Sequence, residues 1–183
     1  MNGPLRRLFI GLMPDEAVRA ALTAHQQLWQ FGRGRPTSVA RLHLTLHFIG
    51  EIDATREAAL RQALTGVEVV PFELVLRTTE VWSARTAVLC ADPQPILTDL
   101  HALLAARLLQ AGLAPRRDAF APHVTLARDA THAVPPDWFP PIAWPIRDCA
   151  LIWSHGGRYD IVERYGNDPR PFNLAAARRT LRR

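Results

Sequence analysis

Lysine is absent from this 183-residue chain; all 22 of its basic residues are arginine. Arginine forks onto phosphate better than lysine does, but missing lysine beside abundant alanine reads as genome-wide codon bias. Only two cysteines occur, Cys90 and Cys149, too few for a disulfide framework and without metal-ligand spacing. Both sit in apolar, strand-like stretches where cysteine behaves as a small hydrophobe. Long apolar runs are missing as well. The run over residues 8–13 is far short of the ~20 residues that cross a bilayer, and no signal-peptide pattern opens the chain. A soluble, cytoplasmic protein is expected. No P-loop, no G-x-G-x-x-G and no G-x-S-x-G is present, which argues against triphosphate-driven ligation, dinucleotide use and serine hydrolysis.

What is present is ordinary in bulk. A 48% hydrophobic and 21% charged composition is that of a globular protein, and the length suits one domain over residues 1–183. The net charge is +5, of which Arg178, Arg179, Arg182 and Arg183 supply four, leaving +1 for the body. Global charge therefore supports a nucleic-acid partner only weakly; the basic tail, 175–183, reads as a frayed terminus that can touch RNA phosphates.

The patterning interleaves strands and helices. Residues 8–12 form a short buried strand. Pro14, Asp15 and Glu16 open a helix that runs to about residue 29, and a Gly/Pro/Arg loop follows at 32–37. A strand at 41–49 ends at Gly50, and Asp53 caps a helix over 54–64. Strands are expected at 72–77 and 86–91. The helix at 96–111 carries Leu97, Leu100, Leu104 and Leu108 on one stripe and Gly112 at its end. Another strand covers 120–127, a proline-rich loop 135–141, and closing strands 142–153 and 158–165. Two similar halves of about ninety residues suggest an internal duplication about a pseudo-twofold axis. The expected fold is α+β: one bilobal domain of mostly antiparallel sheets lining a central cleft, with helices packed outside. No heptad or large apolar stretch suggests assembly, so a monomer is expected.

One phrase appears twice, 80 positions apart: His43-Leu44-Thr45-Leu46 and His123-Val124-Thr125-Leu126. Composition alone predicts about 0.1 such strings in the chain. In a strand, residues i and i+2 share a face, so each copy presents an imidazole beside a hydroxyl and buries two apolar side chains. Two imidazoles at one cleft supply a base and an acid at neutral pH. Displacement at phosphorus needs both, while the threonine hydroxyls donate to non-bridging oxygens as their charge rises. His-x-Thr is not ligand spacing and no carboxylate or Cys/His cluster accompanies it, so neither a metal nor a cofactor is expected.

Strict alternation makes further assignments. Arg128 shares the face of Val124 and Leu126, away from the histidines, and only a bend after Leu126 returns it to the cleft; a surface salt bridge is its other reading. Phe9 and Gly11 share a face, where a small residue leaves room for a nucleotide and Phe9 stacks on a base or packs in the core. His47 falls on the face of His43 and Thr45, as a solvated strand residue or at the cleft's edge, and Phe48 falls in the core with Leu44 and Leu46. His25 and His101 read as helix-surface residues, His132 and His155 as loop residues, and the five tryptophans as packing.

The chain resembles the two-histidine (2H) phosphoesterases, specifically the bacterial and archaeal RNA 2',3'-cyclic phosphodiesterases, historically called 2'-5' RNA ligases. The resemblance rests on Arg7-Leu8-Phe9-Ile10-Gly11-Leu12 with Pro14, on Leu42-His43-Leu44-Thr45-Leu46-His47-Phe48-Ile49-Gly50-Glu51, and on Phe120-Ala121-Pro122-His123-Val124-Thr125-Leu126-Ala127-Arg128. Ser154 with its Gly-rich turn and Tyr159 match more loosely. The resemblance implies an RNA end with a 2',3'-cyclic phosphate, as on tRNA fragments, opened to a 2'-phosphomonoester. It implies His43 as proton donor, His123 as proton acceptor (labels the sequence leaves exchangeable), Thr45 and Thr125 as phosphate holders, and Arg128 on phosphate or base. Some members join RNA ends through a 2'-5' linkage, the same chemistry reversed. Two other readings stand beside it: a phosphodiesterase of small cyclic nucleotides or 2'-5' oligonucleotides, and a non-catalytic RNA-end-binding module.

Overall fold

The structure, a computed structural model, describes residues 4–116 and 118–166; the basic tail, 175–183, lies outside them. In chain order the elements are β1 (Arg6–Leu12), α1 (Glu16–Gln27), β2 (Arg35–Pro36), a 3-10 turn at Val39–Arg41, β3 (Leu44–Ile52), α2 (Ala54–Leu64), β4 (Phe72–Trp82) and β5 (Thr86–Ala91). They continue with α3 (Pro95–Gln110), β6 (His123–Arg128), β7 (Ile142–Ile146), β8 (Cys149–His155) and β9 (Arg158–Tyr165).

Local chemistry sets the helix starts. The Asp15 carboxylate accepts from the Val18 N–H at 2.8 Å and the Asp53 carboxylate from the Arg56 N–H at 2.9 Å, each satisfying an orphan donor of a first turn. Pro95 sits in the first turn of α3, where its missing N–H costs nothing. Gly112, at φ +71°, ends α3 in the left-handed conformation that favours glycine. The stripe Leu97, Leu100, Leu104 and Leu108 is buried as its spacing predicts.

All the described strands belong to one curled antiparallel sheet in the order β7-β4-β5-β6-β3-β1-β8-β9, with β2 paired onto β6. The main core joins Leu22 of α1, Leu60 of α2 and Leu104 of α3 to Leu8, Leu44, Leu74, Leu89 and Val124 of the sheet. A separate small cluster of Phe9, Ala150 and Ile152 lies apart from it. The two motif strands are neighbours at the centre, four strands from each end of the path.

The lobes are not sequential halves. One uses β4 to β7; the other combines β1 and β3 with β8 and β9. What repeats is a strand–helix–motif-strand unit, β1-α1-β3 and β5-α3-β6. The apolar run 142–153, read as one strand, is two strands at distant places in the strand order: β7 pairs with β4 and β8 with β1. β4 also extends five residues beyond its expected end, because Ser83 and Ala84 make the β4–β5 turn at positive φ (48° and 52°). Such turns normally advertise themselves with Asn or Gly.

Each motif strand contains a β-bulge at the leucine closing its phrase. On β3, Ile10 pairs with His47 and Gly11 with Thr45, leaving Leu46 extra. On β6, Val88 pairs with Thr125 and Ala87 with Ala127, leaving Leu126 extra. A bulge puts two consecutive residues on one side and reverses the alternation beyond it. Leu46 and His47 are both buried, as are Leu126 and Ala127. Phe48 and Arg128, each five residues after its motif histidine, return to the motif face.

Gly11 sits where β1 crosses β3. A Cβ there would lie 2.7 Å from the Leu44 carbonyl oxygen and 3.4 Å from the Phe9 ring, so the space expected to admit a nucleotide is filled by protein. Gly11→Ala is expected to lower stability by about 1–3 kcal/mol through overpacking, read from urea denaturation, and to reduce activity by pushing β3 off its place.

Candidate active site

His43 and His123 are oriented by the same local device. The His43 Nδ1 lies 2.6 Å from the Arg41 carbonyl oxygen, and the His123 Nδ1 lies 2.7 Å from that of Ala121, each two residues upstream. A carbonyl only accepts, so each Nδ1 carries the proton and donates it. Each Nε2 is then the basic nitrogen. The His43 Nε2 accepts from the Thr45 hydroxyl at 2.9 Å. Because β3 and β6 register through Leu44 and Val124, an antiparallel ladder sets His43 across from Thr125 and Thr45 across from His123. The two phrases thus face each other head to tail.

They line a cavity of about 460 Å³, within the range that takes one small ligand. Among the described residues, four guanidinium groups line it, those of Arg7, Arg41, Arg116 and Arg128, along with Ser154 and Tyr159, and no aspartate, glutamate, asparagine or glutamine does. The Arg41 guanidinium lies over the Tyr159 ring at 5.1 Å, and its Nε is buried without a hydrogen-bond partner among the described residues. The cavity is an anion site by charge. A larger cavity of about 550 Å³, between α1 and residues 139–145, is lined chiefly by apolar groups and holds none of the motif residues.

Burial dominates the titration of both histidines. It pushes His43 down to about 4, against the opposing pull of the Arg41 carbonyl, while the charges of Arg41, His123 and Arg128 push the same way as burial. Burial also lowers His123, with the Ala121 carbonyl opposing it and Arg128 adding to it. Both imidazoles are therefore neutral at pH 7. The Trp82 ring meets His123 edge-on, with centroids 4.3 Å apart. Phe9 lies 4.9 Å from the His43 ring and 5.0 Å from Tyr159.

The structure brings together His43, Thr45, His123, Thr125, Arg128 and Phe9, all on the cavity wall. Phe9 is only 3% exposed, its ring taken up by His43, Tyr159 and Phe48. The two bulges overturn the alternation-based placements around it. The Leu126 bulge supplies the irregularity that returns Arg128 to the cavity. His47 turns away: it is 4% exposed, bonds the His101 carbonyl through Nε2 at 2.8 Å, and stacks on the His101 ring at 4.0 Å. Phe48, expected in the core, is 45% exposed and lines the cavity.

Other histidines also depart from their expected places. His25 is buried, accepting from the Trp29 indole N–H at 3.1 Å, and His101 is half-buried between His47 and Phe120. His155 does not reach the cavity; it stacks on Trp153 and pairs with Asp160 at 2.5 Å. Trp138 is exposed rather than packed. Sequence reasoning missed Phe48, Arg7, Arg41 and Arg116. Aligning the two phrases one residue at a time would have paired Phe48 with Arg128 and flagged the first of these.

A curled antiparallel sheet with two His-x-Thr phrases facing each other at its centre defines a 2H phosphoesterase. The family model for the 2'-5' RNA ligase superfamily matches residues 14–158, and the chain belongs to that superfamily. It is 36% identical over 143 residues to the RNA 2',3'-cyclic phosphodiesterase of Escherichia coli, covering 76% of this chain and 81% of that protein. It is 34% identical over 185 residues to the protein of the same name from Thermus thermophilus, covering 87% and 89%. The structure resembles E. coli LigT complexed with 3'-AMP, with a TM-score of 0.77, 27% identity, and coverage of 88% of this chain and 97% of that one.

Since burial disfavours the cationic form of His43, the folded protein binds fewer protons than the unfolded chain between about pH 4 and the ordinary histidine value of 6.5. This contribution to stability is complete above pH 6.5 and is lost as pH falls toward 4. An NMR titration of the ring protons in ligand-free protein is expected to place the His43 midpoint near 4 and that of His123 below 6.5. A His43 midpoint at or above 6.5 would contradict the geometry described.

Proposed function

We propose that the protein is a hydrolase that opens RNA 2',3'-cyclic phosphate ends to 2'-phosphomonoesters by acid–base catalysis between His43 and His123. The observation that carries this reading is the pair of facing His-Thr phrases, each with its basic Nε2 free of backbone partners, in a cavity whose charged side chains among the described residues are all arginine. The names of the two relatives support the substrate.

In this scheme the cyclic phosphate sits between the two imidazoles. His123 takes a proton from water through Nε2 as the water oxygen bonds to phosphorus. The P–O3' bond breaks, and His43 gives its Nε2 proton to O3'. The proton then held by His123 returns to His43 through solvent. His43 must first acquire that proton, and the bound phosphate anion supplies the opposite charge that favours an imidazolium. Once Nε2 of His43 carries a proton, the Thr45 hydroxyl no longer donates there and turns to a non-bridging oxygen, as Thr125 does from the other strand. Arg128 pairs with the phosphate. Phe9 holds the His43 ring rather than the substrate. No step assigns a role to a metal or cofactor, and 2'-5' joining is the same displacement reversed, with a ribose hydroxyl in place of water. We read the protein as a cytoplasmic monomer and one domain, with cyclic-phosphate RNA ends such as those of tRNA fragments as its partner.

His43→Ala and His123→Ala are each expected to lower kcat on a cyclic-phosphate-ended oligonucleotide by about 10² to 10⁴, with a bell-shaped pH profile in the wild type. Turnover that survives either substitution removes the mechanism. Activity is expected to persist after extensive chelation, and loss on chelation with recovery on adding a divalent ion would replace the scheme with a metal-assisted one. Comparing a cyclic mononucleotide with a cyclic-ended oligomer tests the other substrate class: a clear preference for the mononucleotide would favour a small-nucleotide enzyme.

A further inference from the structure

We infer that the stacked rings of His47, His101 and Phe120 are a strut that positions His123, holding the Ala121 carbonyl on its Nδ1 so that Nε2 stays the basic nitrogen. The inference rests on the proposed reaction, in which His123 is the base, and adds three positioning residues to it.

The carbonyls that orient the two histidines are supported differently. That of Arg41 belongs to the 3-10 turn at Val39–Arg41, closed by bonds from the Arg41 N–H to the Ser38 carbonyl at 2.8 Å and from the Leu42 N–H to the Val39 carbonyl at 3.3 Å. That of Ala121 ends a stretch outside helix and strand. Among the described residues from 114 to 121, no backbone group bonds another backbone group. Pro122 fixes the chain on the far side. Its ring sets its own φ and confines the residue before it to extended backbone, and its carbonyl accepts from the Ala91 N–H at 2.9 Å. On the near side the anchor is the Phe120 ring, which stacks on His101 with centroids 4.0 Å apart and planes 16° off parallel.

His101 stands on α3 and is itself held. The His47 ring stacks on it with centroids also 4.0 Å apart, and the His47 Nε2 donates to the His101 carbonyl at 2.8 Å. Two rings at this distance cannot share one face of an imidazole, so His101 is sandwiched between them. Burial keeps both imidazoles neutral at pH 7, bringing His101 to about 4, and the stack therefore carries no charge repulsion. The Leu46 bulge turns His47 inward. The strut runs from the strand of the first phrase, across α3, to the residue before Ala121. Aliphatic side chains would fill the same space; flat rings add a fixed plane for Phe120 to lie on.

The chemical consequence falls on His123. When the Ala121 carbonyl turns away, the Nδ1 proton loses its acceptor, and the tautomer protonated at Nε2 becomes competitive. An Nε2 that already carries a proton takes none from water, so that fraction of the enzyme is idle.

The test follows the ring-nitrogen NMR shifts of the histidines at pH 7, together with turnover of a cyclic-phosphate-ended oligonucleotide, in wild type, His101→Ala and His101→Phe. Wild type is expected to hold His123 as a single tautomer protonated at Nδ1. His101→Ala is expected to mix in the Nε2-protonated form at His123 and to leave His43, on its 3-10 turn, as it was. The same variant is expected to lower kcat by about 10- to 100-fold, with KM changed by less than about threefold. His101→Phe keeps a flat ring and is expected to recover kcat to within about threefold of wild type. An unmixed His123 tautomer in His101→Ala, equal mixing at His43, or no recovery in His101→Phe would each overturn the strut. Should His101→Ala melt well below wild type, Phe120→Leu beside Phe120→Tyr carries the comparison at the loop end. Mixing is expected in the leucine variant alone, and mixing in both or in neither overturns the strut. A wild-type protein that opens no cyclic phosphate would instead sink the reaction proposed above, with the tautomer measurements still deciding the strut.

Discussion

The contact between Leu44 and Val124 is the constraint on which the rest of the molecule depends. Every other neighbouring pair along the main path of the sheet shares four or more registered residues, but β3 and β6 share only this one. Both side chains are fully buried, each contributing roughly 1.5–3 kcal/mol of apolar burial. A seam this short lets the lobes diverge on either side of it. The apolar residues close the core beneath, and the same register holds the histidines and threonines facing each other above. A longer ladder would fill the cleft with hydrogen-bonded backbone, and no ladder would leave the imidazoles without a fixed separation.

The parts of the fold that the sequence made legible are those governed by local rules. Asp15 and Asp53 cap their helices because an aspartate before a helical run has one low-energy use, and the leucine stripe of α3 is buried because its spacing permits no other face. The His-Thr phrases were legible for a similar reason, since i and i+2 share a face within a short strand. The rule failed at Leu46 and Leu126, where each strand takes in one extra residue. Nothing in either leucine announces a bulge; it arises from how β3 must fit β1, and β6 fit β5, while the sheet curls. That single irregularity, made twice, misassigned His47, Phe48 and the direction of Arg128. The 142–153 run hid a crossover for a related reason. Residues buried in two different strands are as apolar as residues buried in one.

Electrostatics and burial push the same way at the centre. Setting two imidazoles against the core removes water and makes both hard to protonate, and Arg128, joined at His43 by Arg41, makes it harder still. That is a cost to the charged form, but it keeps both rings neutral, with Nδ1 committed to a carbonyl and Nε2 available. The same arginines that oppose an imidazolium attract a phosphate, and the phosphate removes the opposition. On the proposed reading, protonation of the acid is coupled to arrival of the substrate. Withdrawing the site from water has a second effect: the attraction between an imidazolium and a phosphate strengthens as the local dielectric falls, so the geometry that penalises the charged ring without substrate favours it most with substrate bound.

A duplicated fold poses a problem for directional chemistry. If each half supplies the same imidazole and hydroxyl, a bound phosphate can be approached from either strand, and acid and base are interchangeable. The immediate surroundings already differ somewhat, since His43 bonds Thr45 and meets Phe9 while His123 meets Trp82. Those differences adjust the rings but do not say which way a ligand enters. On the proposed reading, direction comes from groups beyond those that hold the phosphorus, and the first positions after the two phrases to reach the cavity are the ones the bulges deliver. There the halves diverge most, with a phenyl ring on one side and a guanidinium on the other. The irregularity that hid these residues from a reading by alternation is thus the feature by which a symmetric centre acquires an asymmetric rim.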